Sequence, residues 1–489
     1  MQDVAEIDTE VAIVGAGFAG MGMAIKLQEA GIDSFTIFER DEEVGGTWRD
    51  NTYPGCACDV PSHLYSFSFE LNPRWSRTYS PQEEIQDYLI GCAEKYGLYE
   101  RIRFNTEIVR AEYDEETALW TLVSDDGSTF VARHLVLGVG PLRDPNVPDV
   151  EGLQDYEGHW FHSARWDHDA ELQGKRVGVV GTGASAVQIV PSIADEAGEV
   201  VVFQRSAPWV LPRPEYAYSE AVKQLFERFP AVQRLYRALI YLRHEVQGMG
   251  LVRFHWVLEI LERMLSEHID ETFEDPVLRR KVTPDYRVGC KRVVVSNDYY
   301  PALKRSDVHL VDAAVDRFTP QGVVDAHGQE HELDVVVMAT GYAIEEMLAH
   351  VEITGRGGQT LEEAWADGME AYYGVATAGF PNMYMLVGPN TGLGHNSIIF
   401  MIESQIRLIL QAIETVSQEG GRAIEVRPDA HREFNRGIQQ RLRDTVWSTG
   451  GCHSWYLTDD GDNYTLWPGL TLEFWLRTRQ LDRDAWRVS

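Results

Sequence analysis

An α/β protein with two Rossmann-like dinucleotide-binding units, the second carrying a helical insertion, is what this sequence predicts, on three observations. The first is VAIVGAGFAG, an apolar run ending in a turn with Gly15, Gly17 and Gly20, ahead of a helical pattern. The second is VGVVGTGASA, which repeats the design with Gly181, Gly183 and Ala186. The third is the residue at a fixed offset: Glu39 follows Gly15 by 24 positions, and Arg205 follows Gly181 by 24. In a strand–turn–helix setting the glycines let backbone approach a diphosphate, and the helix start offers it free N–H groups. A carboxylate at the end of the second strand accepts from a ribose diol, whereas an arginine there pairs with a 2′-phosphate. The first turn, with Phe18, Ala19 and the Glu39-Arg40 pair, is expected to hold FAD or NAD. The second, with Thr182, Ala184 and Ser185, is expected to hold NADPH/NADP+. Two such sites in one chain suggest electrons moving from NADPH to a flavin.

The elements follow in order. The first helix is expected to end at Gly31, a C′ residue, and SFTIFER supplies the strand that carries Glu39. Ser80-Pro81 reads as an N-cap followed by a proline at the first helical position. RIRFNTEIVRAEYD and ALWTLVSDDGSTFVARHLVLGVG alternate apolar and polar residues, with a turn at Asp125-Asp126-Gly127. Asp144 to Pro148 is a stiff linker. Three segments result: 1–143, a first part of the FAD unit; 151–334, the NADP unit with a helix-rich insert at 213–280; and 335–489, the rest of the FAD unit and a C-terminal tail. HELDVVVMATGY is read as the strand that returns the chain to the FAD unit.

A chain of 489 residues has ample core for such an architecture. Its 44 basic and 76 acidic residues give a formal net charge of −32, which argues against nucleic acid and anionic membrane surfaces as partners. The start MQDVAEIDTE is polar and acidic, unlike a signal peptide, and no apolar run approaches a membrane span, so a cytoplasmic protein is expected. RLYRALIYLRHEV reads as an amphipathic helix, with membrane-surface contact as the lesser alternative. Five scattered cysteines, Cys56, Cys58, Cys92, Cys290 and Cys452, fit a reducing compartment. Cys56-Ala57-Cys58 lacks the spacing of a zinc site, and small packed residues are the expected role. No metal site is expected.

Three further motifs resemble those of the Baeyer–Villiger monooxygenases, flavoproteins with two dinucleotide domains. One is Tyr156-x-Gly158-x-x-x-His162-x-x-x-Trp166-Asp167, where the family usually has Phe in place of Tyr156. Another runs from Gly45-Gly46-Thr47-Trp48 through Tyr53-Pro54-Gly55 to Asp59. The third is Gly289-Cys290-Lys291-Arg292 followed by Asp298-Tyr299-Tyr300. The resemblance spans essentially the whole chain, including ATGY and the tail SWYLTDDGDNYTLWPG.

The resemblance implies that FAD reduced by NADPH adds O2 to give a C4a-peroxyflavin, which attacks a ketone and leaves an ester or lactone. It implies Arg292 as the cation facing the peroxide and Asp59 as the carboxylate that holds it. Lys291 would share the 2′-phosphate with Arg205. Gly46, Thr47, Trp48 and Tyr65 would line the FAD, and Ile108 would meet the adenine through its backbone. His162 and Trp166 would stand away from the chemistry and couple domain motion to cofactor position. Asn390, His395 and Asn396 are either site lining or turn and capping residues. Trp455 and Trp467 either close over substrate or pack in a C-terminal core. The expected partners are a small ketone and O2, the expected assembly a monomer or small homo-oligomer. The alternatives are a related flavin monooxygenase acting on sulfides, amines or long-chain hydrocarbons, an NADPH-dependent reductase, and a non-catalytic flavoprotein sensor.

Overall fold

Two sheets, one mixed and one parallel, each with a glycine turn at the carboxyl end of a central strand, dominate the computed structural model, which describes residues 7–452, 454–458 and 460–489. Residues 1–6, on which the signal-peptide reading rested, lie outside the described residues. In the first sheet the buried strand Thr9–Val14 lies between Phe35–Phe38 and Thr129–Leu137, parallel to both. Beyond Thr129–Leu137 the sheet continues antiparallel through Leu119–Ser124 and Ile108–Asp114. Met383–Met385 and Glu352–Thr354, from the C-terminal third, add to it in parallel. The near-continuous apolar sequence of Thr9–Val14 reflects burial on both faces, as parallel central strands require.

The second sheet is parallel throughout: Val308–Val311, Glu199–Phe203, Arg176–Val180, Val335–Met338 and His159–His162, in that spatial order. The sequence reading began the returning segment at residue 335. Val335–Met338 instead pairs inside the second sheet, and the chain crosses back after it, where Tyr342 donates to Asn51 at 2.6 Å. In both sheets the strand order reverses beside the glycine turn, the switch point where α/β sheets take ligands.

Local expectations hold where the signal is a backbone one. The helix Phe18–Glu29 ends at Ala30, and Gly31 follows with φ +75°. Gly127, φ +82°, turns the hairpin between Leu119–Ser124 and Thr129–Leu137. The cap at Ser80-Pro81 is displaced by one residue: the helix is Gln82–Lys95 with Pro81 at the N-cap, and Ser80 donates to Ser62 at 2.7 Å. The insert is helical as expected, with Glu220–Arg228, Pro230–Val252, His255–Thr272 and Pro276–Val282.

The cysteines differ from the expected scatter of thiols. Cys290 and Cys452 form a disulfide with Cα atoms 6.1 Å apart, joining the turn before Lys291-Arg292 to the tail. Cys56, Cys58 and Cys92 are free and buried. Burial pushes the Cys56 thiol up to about 12, so it stays protonated and packs as a small apolar group.

Three buried histidines set an acid limit on this fold. Burial lowers His63 and His162 to about 4 and His134 to about 3, from an ordinary 6.5. Below 6.5 the unfolded chain takes up protons that the folded chain refuses, so stability falls as pH drops from about 6.5 toward 4. Thermal denaturation should show Tm lower at pH 5 than at pH 7 by several degrees, at roughly 1 °C per kcal/mol lost for a chain of 489 residues. An unchanged Tm across that window would contradict the burial of these rings.

Candidate functional site

The two glycine turns open into one cleft of about 1500 Å3, which also receives the Gly45–Asp59 segment, the Lys291-Arg292 pair and part of the tail. In the first turn two glycines are demanded by packing and one leaves space. Gly15 has φ +99°, and a Cβ there would lie 2.7 Å from the Gly138 carbonyl oxygen; a Cβ at Gly20 would lie 1.9 Å from that of Gly15. At Gly17 a Cβ would meet nothing closer than 3.8 Å. The helix Phe18–Glu29 has no side-chain cap and no acidic residue in its first turn, so the amides around Phe18 and Ala19 remain for an anion.

Glu39 stands at the end of Phe35–Phe38, as its offset predicts, and is 5% exposed. It accepts from the Ala16 amide at 2.8 Å and the Asp41 amide at 3.1 Å. Arg49, which the sequence reading passed over, donates to Glu39 at 3.0 Å and to the Glu43 carbonyl at 2.7 Å. Arg40 pairs with Asp41 at 3.0 Å. Trp48 donates to the Tyr65 hydroxyl at 3.1 Å, and Phe18 meets the Tyr65 ring edge-on at 5.4 Å. Gly46 (φ +54°) precedes the short helix that begins at Thr47, and Ile108 is buried at the start of its strand beside the cleft.

The second turn repeats the pattern. A Cβ at Gly181 (φ +114°) would lie 2.4 Å from the Ala339 carbonyl oxygen, whereas one at Gly183 would meet nothing within 4 Å. Ala186 is fully buried, Gly183 and Ala184 are exposed, and Ser185 leads into Ala186–Ile193 without a side-chain cap. Thr182 donates to the Ser206 carbonyl at 3.2 Å, and Lys291 to the Ser206 hydroxyl at 2.6 Å. Burial, and then the Arg205 cation, lower the Lys291 ammonium below the ordinary lysine value. Two cations within each other's field are chemically suited to a doubly charged anion.

Between the turns lies a bidentate pair. Arg292 donates from Nε to Asp59 Oδ2 at 2.8 Å and from Nη2 to Oδ1 at 2.7 Å. Among the described residues its Nη1 has only the Leu393 carbonyl, at 3.4 Å. The Asp59 charge, against the cost of burial, raises the guanidinium further above its ordinary value. Tyr456, also unanticipated, is buried beside the pair; burial holds its phenol up at about 12, eased by the Arg292 cation.

The Gly45–Asp59 segment also docks the second unit. Tyr53 donates to Gln188 Oε1 at 3.1 Å, and Gln188 Nε2 donates to the Ala57 carbonyl at 3.0 Å. Gly55, φ +79°, fits closely because a Cβ would lie 2.9 Å from the Gln188 carbonyl oxygen. Other candidates stand apart from the cleft chemistry. His162 accepts from the Ala164 amide at 3.0 Å and caps a short turn, and Trp166 packs edge-on to Phe161. Asn390 pins the tail through the Asn463 carbonyl at 2.7 Å, and Asn396, the exception, borders the cleft while donating to Glu245 at 2.8 Å. Trp467 is fully buried in the C-terminal core, while Trp455 is half exposed at the cleft.

Comparison with known proteins follows this geometry. Residues 8–350 match a protein family described as flavin-binding monooxygenase-like. A Baeyer–Villiger monooxygenase of Pseudomonas aeruginosa is 46% identical over 481 residues, 98% of this chain and 91% of that protein. One of Streptomyces coelicolor is 45% identical over 479 residues, 98% of this chain and 92% of that protein. The solved structure of OTEMO in complex with FAD and NADP superposes with a TM-score of 0.89 at 27% identity, covering 99% of this chain and all of that one.

The contrast between neighbouring glycines gives a test of the first turn. Gly20→Ala should destabilise the protein even without cofactor, because the methyl group meets backbone. Gly17→Ala should fold with wild-type Tm as apoprotein and retain less FAD; equal Tm losses in both would refute this division. At the second turn, Arg205→Ala should raise KM for NADPH roughly 10-fold or more and leave NADH nearly unchanged. Equal losses for both coenzymes would remove Arg205 from the 2′-phosphate.

Proposed function

The chain belongs to the flavin-binding monooxygenase-like family, and from that premise we propose that Arg292, held by Asp59, is the cation of its oxygen-transfer centre. The enzyme uses FAD and NADPH to insert one oxygen atom beside a ketone carbonyl, giving an ester or lactone. When bound, FAD supplies the redox chemistry: it takes a hydride from NADPH and delivers one atom of O2 to the ketone, the other leaving as water.

The residues present fit both cofactors. Gly15, Gly17, Phe18, Ala19 and Gly20 would hold the FAD diphosphate, with Glu39 at the ribose and Arg40 at the adjoining rim. Gly46, Thr47, Trp48, Tyr65 and Ile108 would line the rest of the flavin site. Gly181 to Ala186 would hold the NADP diphosphate, with Arg205 and Lys291 on the 2′-phosphate. The open faces of Gly17 and Gly183 are the observations that admit phosphate at each turn.

The Asp59–Arg292 geometry carries the proposal. Oxygen attack on a carbonyl carbon develops negative charge on oxygen, which a fixed donor in a water-poor site stabilises. Arginine remains protonated at any working pH, and Asp59 reinforces this. Asp59 occupies Nε and Nη2, which fixes the plane of the guanidinium and leaves Nη1 as the donor for the reacting oxygen. Sulfide oxidation needs an electrophilic, protonated oxygen and gains nothing from this cation, so ketones are the main substrates. The substrates are small molecules, with no nucleic-acid partner at a net charge of −32. The proposed setting is the cytoplasm, where NADPH is regenerated, and the proposed assembly a monomer or small homo-oligomer.

Arg292→Ala should retain FAD and NADPH-dependent bleaching of the flavin, while ester yield falls by a factor on the order of 100–1000 and consumed NADPH appears as hydrogen peroxide. Asp59→Ala should follow it, because an unheld guanidinium is misplaced. Product analysis of a ketone panel under 18O2 should find one labelled oxygen in each ester. Wild-type ester yield in Arg292→Ala would place the catalytic cation elsewhere.

A further inference from the structure

The helix Pro230–Val252 is amphipathic the wrong way round. Its polar residues Gln233, Arg237 and Glu245 face the body of the protein. Gln233 donates to the Asn72 carbonyl at 2.7 Å, Arg237 to the His63 carbonyl at 2.6 Å, and Glu245 accepts from Asn396 at 2.8 Å. Its exposed residues are Val232, Leu235, Leu239, Leu242 and Val246, 39–62% accessible and spaced 3, 4, 3 and 4 apart, a single outward stripe. An ordinary surface helix turns such a stripe toward the core.

The stripe belongs to a larger face. Phe229 and Phe254 are exposed at the helix ends, and Trp256, Ile260 and Met264 form a second exposed row on His255–Thr272. Among the described residues, 11 of 18 exposed large apolar side chains fall between Leu225 and Met264. Contiguous apolar surface on this scale marks an interaction site.

Charge selects the partner. Between Phe229 and Leu258 there are four arginines, Arg234, Arg237, Arg243 and Arg253, and one carboxylate, Glu245. Glu245 is buried, whereas Arg234, Arg243 and Arg253 are exposed. The exposed charge of Pro230–Val252 is therefore wholly positive, in a chain of 76 acidic and 44 basic residues, whereas the Trp256–Met264 row also carries exposed Glu259 and Arg263 and half-buried Glu262. A second copy of the chain would match the apolar stripe but set Arg234 and Arg243 against the same arginines across a two-fold interface on this helix, whose single carboxylate, Glu245, is buried. An anionic phospholipid surface matches both, with the aromatic residues at headgroup level and the leucines among the acyl chains.

We propose that the Pro230–Val252 helix, with the exposed Phe254 and Trp256 that follow it, docks the enzyme in the plane of an anionic phospholipid surface. The chain-wide charge, which argues against such a partner, acts weakly at contact because charges beyond about 8 Å are screened at physiological salt. On its inward side the same helix packs on the turn that carries Lys291-Arg292: a Cβ at Gly289 would lie 2.5 Å from the Leu251 side chain.

Flotation of the holoenzyme with vesicles tests the proposal. It should float with vesicles of equal parts phosphatidylcholine and phosphatidylglycerol, detach in high salt, and bind pure phosphatidylcholine far less. Arg234→Gln with Arg243→Gln should weaken binding roughly fivefold for each arginine. Leu235→Gln with Leu239→Gln and Leu242→Gln should reduce it at least about tenfold, with FAD content and turnover of a water-soluble ketone unchanged. Absence of flotation overturns the proposal. So does a dimer in light scattering that the leucine variants dissociate, since the face then belongs to a second copy. Equal binding to neutral vesicles overturns the role given to the arginines.

Discussion

The Asp59–Arg292 ion pair is the constraint on which the rest of the site depends. Asp59 ends the segment that begins at Gly45 beside the first glycine turn, and Arg292 ends the turn that begins at Gly289 beside the second. The pair is bidentate, and such a pair fixes direction as well as distance. It therefore sets the position of a permanent cation relative to both nucleotide sites. The same segment docks against Gln188 and Ser192 through Tyr53, Gly55 and Ala57, so the placement of the cation and the closure of the two units are one arrangement.

Around that pair, packing and openness are divided among small residues. Gly15, Gly20 and Gly181 are glycines because backbone presses on them, while Gly17 and Gly183 face open space. The third position of the motif tolerates Ala186 in the second turn but not a methyl group in the first. The two turns differ again in charge. Glu39 is buried among amide and guanidinium donors, suited to a neutral diol, whereas Lys291 donates to Ser206 within the field of Arg205, whose repulsion Asp285 opposes.

The insert and the tail complete the site from outside the two sheets. The insert sends Glu245 to the start of Ile398–Glu419 and to Thr471, and its Leu251 lies against Gly289. The tail brings Tyr456 to the ion pair, and the Cys290–Cys452 bond ties that tail to the turn carrying Arg292. Holding these contacts commits the polar face of Pro230–Val252 inward, and the apolar face is left outward as a consequence.

The sequence by itself determined the two strand–turn–helix units, the opposite charges at a shared offset, the hairpin at Gly127 and the helical character of the insert. These are local signals: a positive φ needs glycine, a parallel core strand needs a continuous apolar run, and a fixed offset spans a single β–α–β unit. Asp59 and Arg292 were legible only through the resemblance of their motifs, because 233 residues separate them and no periodicity links them. Arg49 and Tyr456 lay inside quoted motifs yet carried no signal of their own, since each acquires its role from a partner that closure brings. The tertiary structure alone decided that Val335–Met338 stays in the second sheet, that Cys290 meets Cys452, and which face of Pro230–Val252 looks outward. An amphipathic pattern gives a helix two faces but not their direction; burial of Gln233, Arg237 and Glu245 against fixed hydrogen-bond partners turned the polar one inward.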